Sequence, residues 1–229
     1  MKPELIIALD VPSSDKIPAI VDSLPAAVSF YKVGLEIFTA DGPSALSYLK
    51  KTNRKIFLDL KLHDIPRTVA RAVSSAAKHG VNLLTVHAGG GREMLKAAAA
   101  SAKESGNLKV VAVTTLTSLN TADLVEMGVT RPLLDHTLLL GEMAISAGID
   151  GLVCSPNEAA AFRKIIGDKP ILITPGIRPA GADVGDQKRI ATPEMAVKAG
   201  ASHLVVGRPI LDAKDPSAAA EEILRQMGV

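Results

Sequence analysis

Ionisable side chains crowd one short run of this chain, Phe57-Leu58-Asp59-Leu60-Lys61-Leu62-His63-Asp64-Ile65-Pro66. A β-strand sends successive side chains to opposite faces. Phe57, Asp59 and Lys61 therefore share one face of the predicted strand, and Ile56, Leu58 and Leu60 share the other. The apolar set suits packing under helices, which turns Asp59 and Lys61 the opposite way. Asp64 follows just past the strand. Lys32 stands on another predicted strand, on the face of Phe30 and Gly34, and brings a second ammonium. In an alternating Lys-Asp-Lys-Asp array, opposite charges favour each other's ionised forms. Such a lysine is a poor imine-forming nucleophile, because that chemistry needs the free amine. It is well suited to supplying positive charge and a proton. As surface ion pairs alone, the same residues would add little stability. His63 follows Leu62 beyond the predicted strand and reads as structural.

A second set of residues could hold an anion. Thr174-Pro175-Gly176-Ile177-Arg178-Pro179 and Gly207-Arg208-Pro209 each follow an apolar run. Backbone N–H groups at glycine turns and helix starts favour anions. Arg208 adds a planar fork that matches phosphate oxygens. One Gly-Arg pair is weak evidence, and two after successive strands are stronger. Between Arg178 and Thr192 the chain reads as a long aperiodic loop with Gly181 and Gly185. Loops of that length in compact domains are usually functional. It is expected to cover the phosphate, with Gln187 reaching in; a plain surface loop is the alternative.

The elements that must carry these groups alternate in type. Strands are predicted at Leu5–Asp10, Val28–Gly34, Lys55–Lys61, Leu83–His87, Val110–Thr115, Gly151–Cys154, Ile171–Thr174 and Leu204–Gly207. Helices are predicted at Ser44–Lys51, Thr68–His79, Met94–Glu104, Leu133–Ala147, Asn157–Ile166, Pro193–Ala199 and Ala218–Met227. Gly80, Gly106, Gly148, Gly167 and Gly200 stand where helices stop. Eight alternating βα units without a linker predict an α/β fold, one closed (β/α)8 TIM barrel over residues 1–229. A doubly wound dinucleotide fold would place G-x-G-x-x-G after the first strand, where this chain reads Asp10-Val11-Pro12-Ser13-Ser14. Strand ends carry Asp10, Lys32, Asp59, Lys61, His87, Thr115, Thr117 and Ser155. In a barrel such ends meet at one mouth, where active sites sit.

Composition narrows the classes further. At 229 residues with 47% hydrophobic side chains, the chain can bury a sizeable core. A net charge of +2 gives no general attraction to nucleic acid. The absence of Trp and the few Tyr and Phe argue against a base-stacking platform. Cys154 is the only cysteine, which suits a reducing cytoplasm. The opening MKPELIIALD is too short and too soon acidic for a secretion signal. No apolar stretch reaches membrane-spanning length. A cytoplasmic, membrane-independent protein is expected.

The run from Asp59 to Thr68 resembles the D-x-K-x-x-D-I-P-x-T signature of the orotidine 5′-monophosphate decarboxylase family. The resemblance extends along the chain. It includes Ala8-Leu9-Asp10, Lys32-Val33-Gly34, Asn82 to His87-Ala88, Leu116-Thr117-Ser118, Val153-Cys154-Ser155, Thr174 to Pro179, Gly185-Asp186-Gln187 and Gly207-Arg208-Pro209. It implies a TIM-barrel carboxy-lyase of pyrimidine biosynthesis that acts on a nucleotide monophosphate without metal or cofactor. By resemblance, Asp10 and Lys32 hold the ribose hydroxyls, and Asp59, Lys61 and Asp64 complete the array with Lys32. Lys61 would protonate C6, and Thr117 would contact the pyrimidine. Arg178 would lie in the nucleotide-binding loop, while Gln187, Gly207 and Arg208 would bind phosphate. The family is homodimeric, and Asp64, Ile65 and Thr68 would reach into the neighbouring subunit's site.

Two alternatives accompany this reading. Mg²⁺-dependent sugar-phosphate decarboxylases and hexulose-phosphate synthases share D-x-K-x-x-D, but carry an acidic metal ligand where Lys32 stands. A non-catalytic nucleotide-binding barrel would be expected to have lost Lys61 or one of the aspartates.

Overall fold

A computed structural model describes residues 2–179 and 191–229. Eight parallel strands close on themselves in sequence order. They are β1 Glu4–Ala8, β2 Phe30–Val33, β3 Lys55–Leu62, β4 Leu83–His87, β5 Lys109–Val113, β6 Gly151–Val153, β7 Ile171–Thr174 and β8 His203–Val206. β8 pairs back to β1, with Glu4 opposite His203 and Ile6 opposite Val205. The expected (β/α)8 barrel is therefore present.

The described α-helices are α1 Ile17–Ser23, α2 Leu35–Asp41, α3 Ser47–Lys51, α4 Pro66–Lys78, α5 Gly91–Glu104, α6 Thr121–Glu126, α7 Leu133–Ser146, α8 Pro156–Ile166, α9 Pro193–Lys198, α10 Arg208–Leu211 and α11 Pro216–Met227. Gly80, Gly106, Gly148, Gly167 and Gly200 all have positive φ beyond helix ends, as expected from their placement. None of the described helices is long and apolar enough to cross a membrane.

Alternation divides the apolar side chains into two cores. Ile7, Tyr31, Val33, Ile56, Leu58, Leu84 and Val86 face outward and pack beneath the helices. Ile6, Ala8, Phe30, Phe57, Leu83, Val111, Ile173 and Val205 fill the barrel interior. The interior is thus a packed plug, and its upper surface is a rigid floor for the mouth. Tyr31 is fully buried, and burial pushes its phenol up to about 12. At the opposite end His203 is buried edge-on to Phe30, with Nδ1 2.9 Å from Ser202 Oγ.

Several expected boundaries shift. β1 stops at Ala8 and β2 at Val33, so Asp10 and Gly34 lie beyond their ladders. β5 likewise ends at Val113 rather than Thr115. The predicted Ser44–Lys51 helix is split, because Gly42–Leu46 winds as a 3-10 turn before α3. Pro43 at the start of that turn has no N–H to donate. Helices α1, α2 and α6 were not expected. Each is no longer than seven residues, too short for helical periodicity to register.

Candidate active site

The charged array forms at the C-terminal mouth of the barrel, above the packed interior. Ala8 is opposite Lys32, and Lys32 is opposite Phe57, which places the ammonium between the ends of β1 and β3. Lys32 Nζ lies 2.8 Å from Asp10 Oδ1 and 3.7 Å from Asp59 Oδ2. Lys61 Nζ donates to Asp59 at 2.9 Å and 3.0 Å, one contact to each carboxylate oxygen. Asp59 therefore sits between two ammonium groups. Both Lys32 and Asp59 are largely shielded, with 11% and 13% of their side chains exposed. Lys61 is 32% exposed and Asp10 56%, so the array opens outward to the solvent side.

Glycine makes room for this packing. A Cβ on Gly34 would stand 2.8 Å from Lys32 Nζ and 3.3 Å from Asp10 Oδ1. On the other side, a Cβ on Gly207 would meet Ala8 Cβ at 3.4 Å. Both glycines lie beyond inward-register strand ends, against the array.

Strict alternation does not carry through Lys61. The pairing of β3 with β4 shifts between Leu58 and Leu62, and Lys61 adopts φ +49°. Among the described residues, Asn53 is the only other non-glycine with positive φ. A lysine in the left-handed region is disfavoured by its Cβ and needs holding. Thr85, on the inward register of β4 with Leu83, supplies a holding group. Its hydroxyl accepts from Lys61 N–H at 2.7 Å and donates to Asp59 Oδ1 at 3.0 Å. Thr85 lies outside the site residues expected from the sequence. The available signal was a lone hydroxyl inside Leu83-Leu84-Thr85-Val86, on the inward face.

Beyond the shift, Leu62 pairs with Val86, and the next side chain, His63, stacks on His87. Their ring centroids are 5.2 Å apart and nearly parallel, at 13°. His63 is exposed rather than packed in the core. Its structural role is this ring contact. His87 Nδ1 accepts from Gly89 N–H at 3.1 Å. Burial, with neighbouring His63 and Lys61, holds the His87 imidazole below its ordinary value.

Asp64, Ile65 and Thr68 stand apart from the array at the rim. All three are exposed, and Ile65 is 66% exposed despite its apolar side chain. Asp64 Oδ1 accepts from Ile65 N–H at 2.6 Å, and its carboxylate forms no ion pair with a described residue. Ile65 is extended at φ −59°, ψ 152°, and Pro66 then begins α4, which carries Thr68. Within one chain, the array therefore contains Asp10, Lys32, Asp59 and Lys61, while Asp64 points elsewhere.

The remaining predicted residues follow β5, β7 and β8. Thr117 is half-buried in the loop beyond β5. Arg178 follows β7, is buried, and donates to Ile177 O at 2.9 Å. Arg178 N–H also donates to Ala191 O at 3.0 Å, which joins the two described ends flanking 180–190. Gly207 and exposed Arg208 lead into α10 after β8. Gln187 and most of the predicted covering loop lie outside the described residues.

Such an array can place positive charge beside a carbon that becomes negative and then deliver a proton to it. A carboxylate fixed between ammonium groups can repel a second carboxylate brought beside it. Among the described residues, no three His, Cys, Asp or Glu side chains gather in a metal-binding cluster.

Known proteins resemble this chain in sequence and in fold. The model of the Orotidine 5'-phosphate decarboxylase / HUMPS family matches residues 3–223. A protein from Rhodopseudomonas palustris (strain HaA2), named orotidine 5'-phosphate decarboxylase, is 48% identical over 223 residues, covering 97% of this chain and 94% of its own length. A protein of the same name from Anaeromyxobacter sp. (strain K) is 49% identical over 225 residues, covering 97% of this chain and 98% of its own. A crystal structure of orotidine 5'-phosphate decarboxylase from Lactobacillus acidophilus matches with a TM-score of 0.88 at 38% identity, covering 99% of this chain and 100% of that one. With the barrel and nearly its full length matched, the chain belongs to the Orotidine 5'-phosphate decarboxylase / HUMPS family.

Proposed function

We propose that this protein is a carboxy-lyase of pyrimidine biosynthesis, with the whole chain acting as one catalytic domain. It converts orotidine 5′-monophosphate to uridine 5′-monophosphate and CO2, without metal or cofactor. The observation that carries the reading is Asp59 held between Lys32 and Lys61 above the packed barrel floor. The names of relatives nearly half identical over the whole chain support it.

The C6–carboxylate bond breaks, CO2 leaves, and its electron pair stays on C6. Lys61 Nζ stabilises that carbanion and then gives it a proton. Preorganised charge of this kind is usually the largest catalytic contribution. Asp59 crowds the substrate carboxylate and orients Lys61. Asp10 and Lys32 hold the ribose hydroxyls, and Thr117 meets the pyrimidine. Arg178, Gln187, Gly207 and Arg208 serve the nucleotide end, where phosphate binding can drive alignment of the distant reacting carbon. Lys32 occupies the space between two carboxylates, and its ammonium would repel a divalent cation there.

The protein works as a homodimer in this reading. Asp64, Ile65 and Thr68 enter the partner's site, which is supported by their exposure and by the absence of Asp64 from its own chain's array. It acts in the cytoplasm. The decisive experiment follows orotidine monophosphate by absorbance with purified protein, with and without EDTA. Turnover that EDTA leaves unchanged and Lys61→Ala abolishes is expected. Turnover that requires added Mg²⁺, or survives in a folded Lys61→Ala protein, would remove the proposal.

A further inference from the structure

We propose that Thr85 is a positioning residue for Lys61, closing a hydrogen-bonded ring that fixes this lysine at both its backbone and its ammonium. The ring runs from Lys61 N–H to Thr85 Oγ1 at 2.7 Å, from the Thr85 hydroxyl to Asp59 Oδ1 at 3.0 Å, and from Lys61 Nζ back to Asp59 Oδ1 at 2.9 Å. The polarity of each link is determined. A backbone amide can only donate, so the hydroxyl accepts there and turns its single proton to the carboxylate. Asp59 Oδ1 thus receives two donors, one from each end of the ring.

The ring coincides with the irregular part of β3. Its register shifts between Leu58 and Leu62, and Lys61 sits at φ +49°. That conformation directs the side chain towards Asp59 but takes the Lys61 amide out of a regular ladder. Thr85 provides the amide's partner from the adjacent strand. It is wholly buried, which shields its hydrogen bonds from competing solvent. Strain at a functional residue persists only when its surroundings over-determine it. Here a hydroxyl on the neighbouring strand does so. Thr85 itself touches Lys61 and Asp59 and acts through them.

The inference rests on the proposed decarboxylase reading for its catalytic consequence, though not for the ring itself. Thr85→Val keeps the side chain's shape and β-branching while deleting the hydroxyl. It should lower kcat by about 10- to 100-fold, the scale of a misplaced reacting group. KM for orotidine monophosphate should stay within about twofold, because nucleotide binding lies elsewhere. Thr85→Ser should restore kcat to within about threefold of wild type, since it returns the hydroxyl but not the methyl. A readout independent of turnover is amide exchange at Lys61, which should accelerate in Thr85→Val and recover in Thr85→Ser.

Unchanged kcat in Thr85→Val would overturn the proposal. So would a Thr85→Ser protein as poor as Thr85→Val, which would assign the effect to packing. If the wild type itself fails to turn over orotidine monophosphate, the decarboxylase reading fails. Lys61 exchange then decides the ring alone, and unchanged protection in Thr85→Val would sink it.

Discussion

Replacing Gly34 with alanine adds one methyl group at the most crowded point of the array. Gly34 has φ −100° and ψ −171°, extended backbone that alanine adopts without strain. The added Cβ would stand 2.8 Å from Lys32 Nζ, whereas ordinary contact begins near 3.4 Å. The ammonium must therefore retreat by about 0.6 Å, the difference of those two distances. Lys32 has little free room, being 11% exposed and bonded to Asp10 at 2.8 Å. A 1 Å error in a catalytic arrangement can cost about 100-fold, so a shift of this size is expected to cost about 10-fold in kcat/KM, about 1.4 kcal/mol. Stability should change far less. Alanine is a poorer helix N-cap than glycine by about 1 kcal/mol, and stiffening the unfolded chain returns about 0.4–1 kcal/mol. Steady-state absorbance assays beside urea unfolding would separate the two quantities. A double-mutant cycle tests the route. In a Lys32→Ala background the alanine at 34 should cost nothing further, whether read as residual kcat/KM or as affinity for uridine monophosphate. Full activity in Gly34→Ala, or an equal loss in both backgrounds, would refute displacement of Lys32.

Other perturbations address the rest of the site. Arg208→Ala should lower kcat/KM for orotidine monophosphate by several kcal/mol, about the scale of a lost charge-assisted phosphate contact, with much less effect on orotidine. An equal loss on both substrates would remove Arg208 from the phosphate end. Mixing dissociated Lys61→Ala and Asp64→Asn proteins should restore about a quarter of wild-type site activity, because random two-fold pairing makes half the dimers hybrid, each with one intact site. Activity no higher than the mutants' mean, with subunit exchange verified by mass, would exclude a shared site. Acid should weaken the fold in a defined window. Burial is the main cause holding His203 and His87 below their ordinary value of 6.5. The unfolded chain therefore binds protons first, and their stabilising contribution is complete above pH 6.5 and lost as pH falls below it. Urea midpoints should fall from pH 7 to 5, less steeply in His203→Asn. Midpoints that rise on acidification would contradict the assigned direction.

Much of this molecule is determined locally. Short β-branched runs alternate with helix-forming segments, and glycines stop the longer helices, as positive φ at Gly80, Gly106, Gly148, Gly167 and Gly200 bears out. Eight such units have few ways to bury both faces of a parallel sheet, so the barrel is legible from rhythm alone. The period-two pattern likewise puts Asp59 on the inward register with Phe57 and Lys32 with Phe30. Short elements escape this reading. Helix α2 spans seven residues and α6 six, fewer than periodicity needs.

The tertiary structure decided what depends on neighbouring strands. The irregularity in β3 comes from its pairing with β4, and nothing within Leu58-Asp59-Leu60-Lys61-Leu62 announces a left-handed lysine. Thr85 is 24 residues from Lys61 along the chain, so its hydroxyl becomes Lys61's partner only through strand register. The stacking of His63 on His87 arises in the same way. The need for glycine at 34 is also invisible locally, because its backbone is ordinary and the obstruction is the end of the Lys32 side chain. Sequence patterns specify which face a residue occupies. The distances that turn a shared face into a charged array come from closing the barrel.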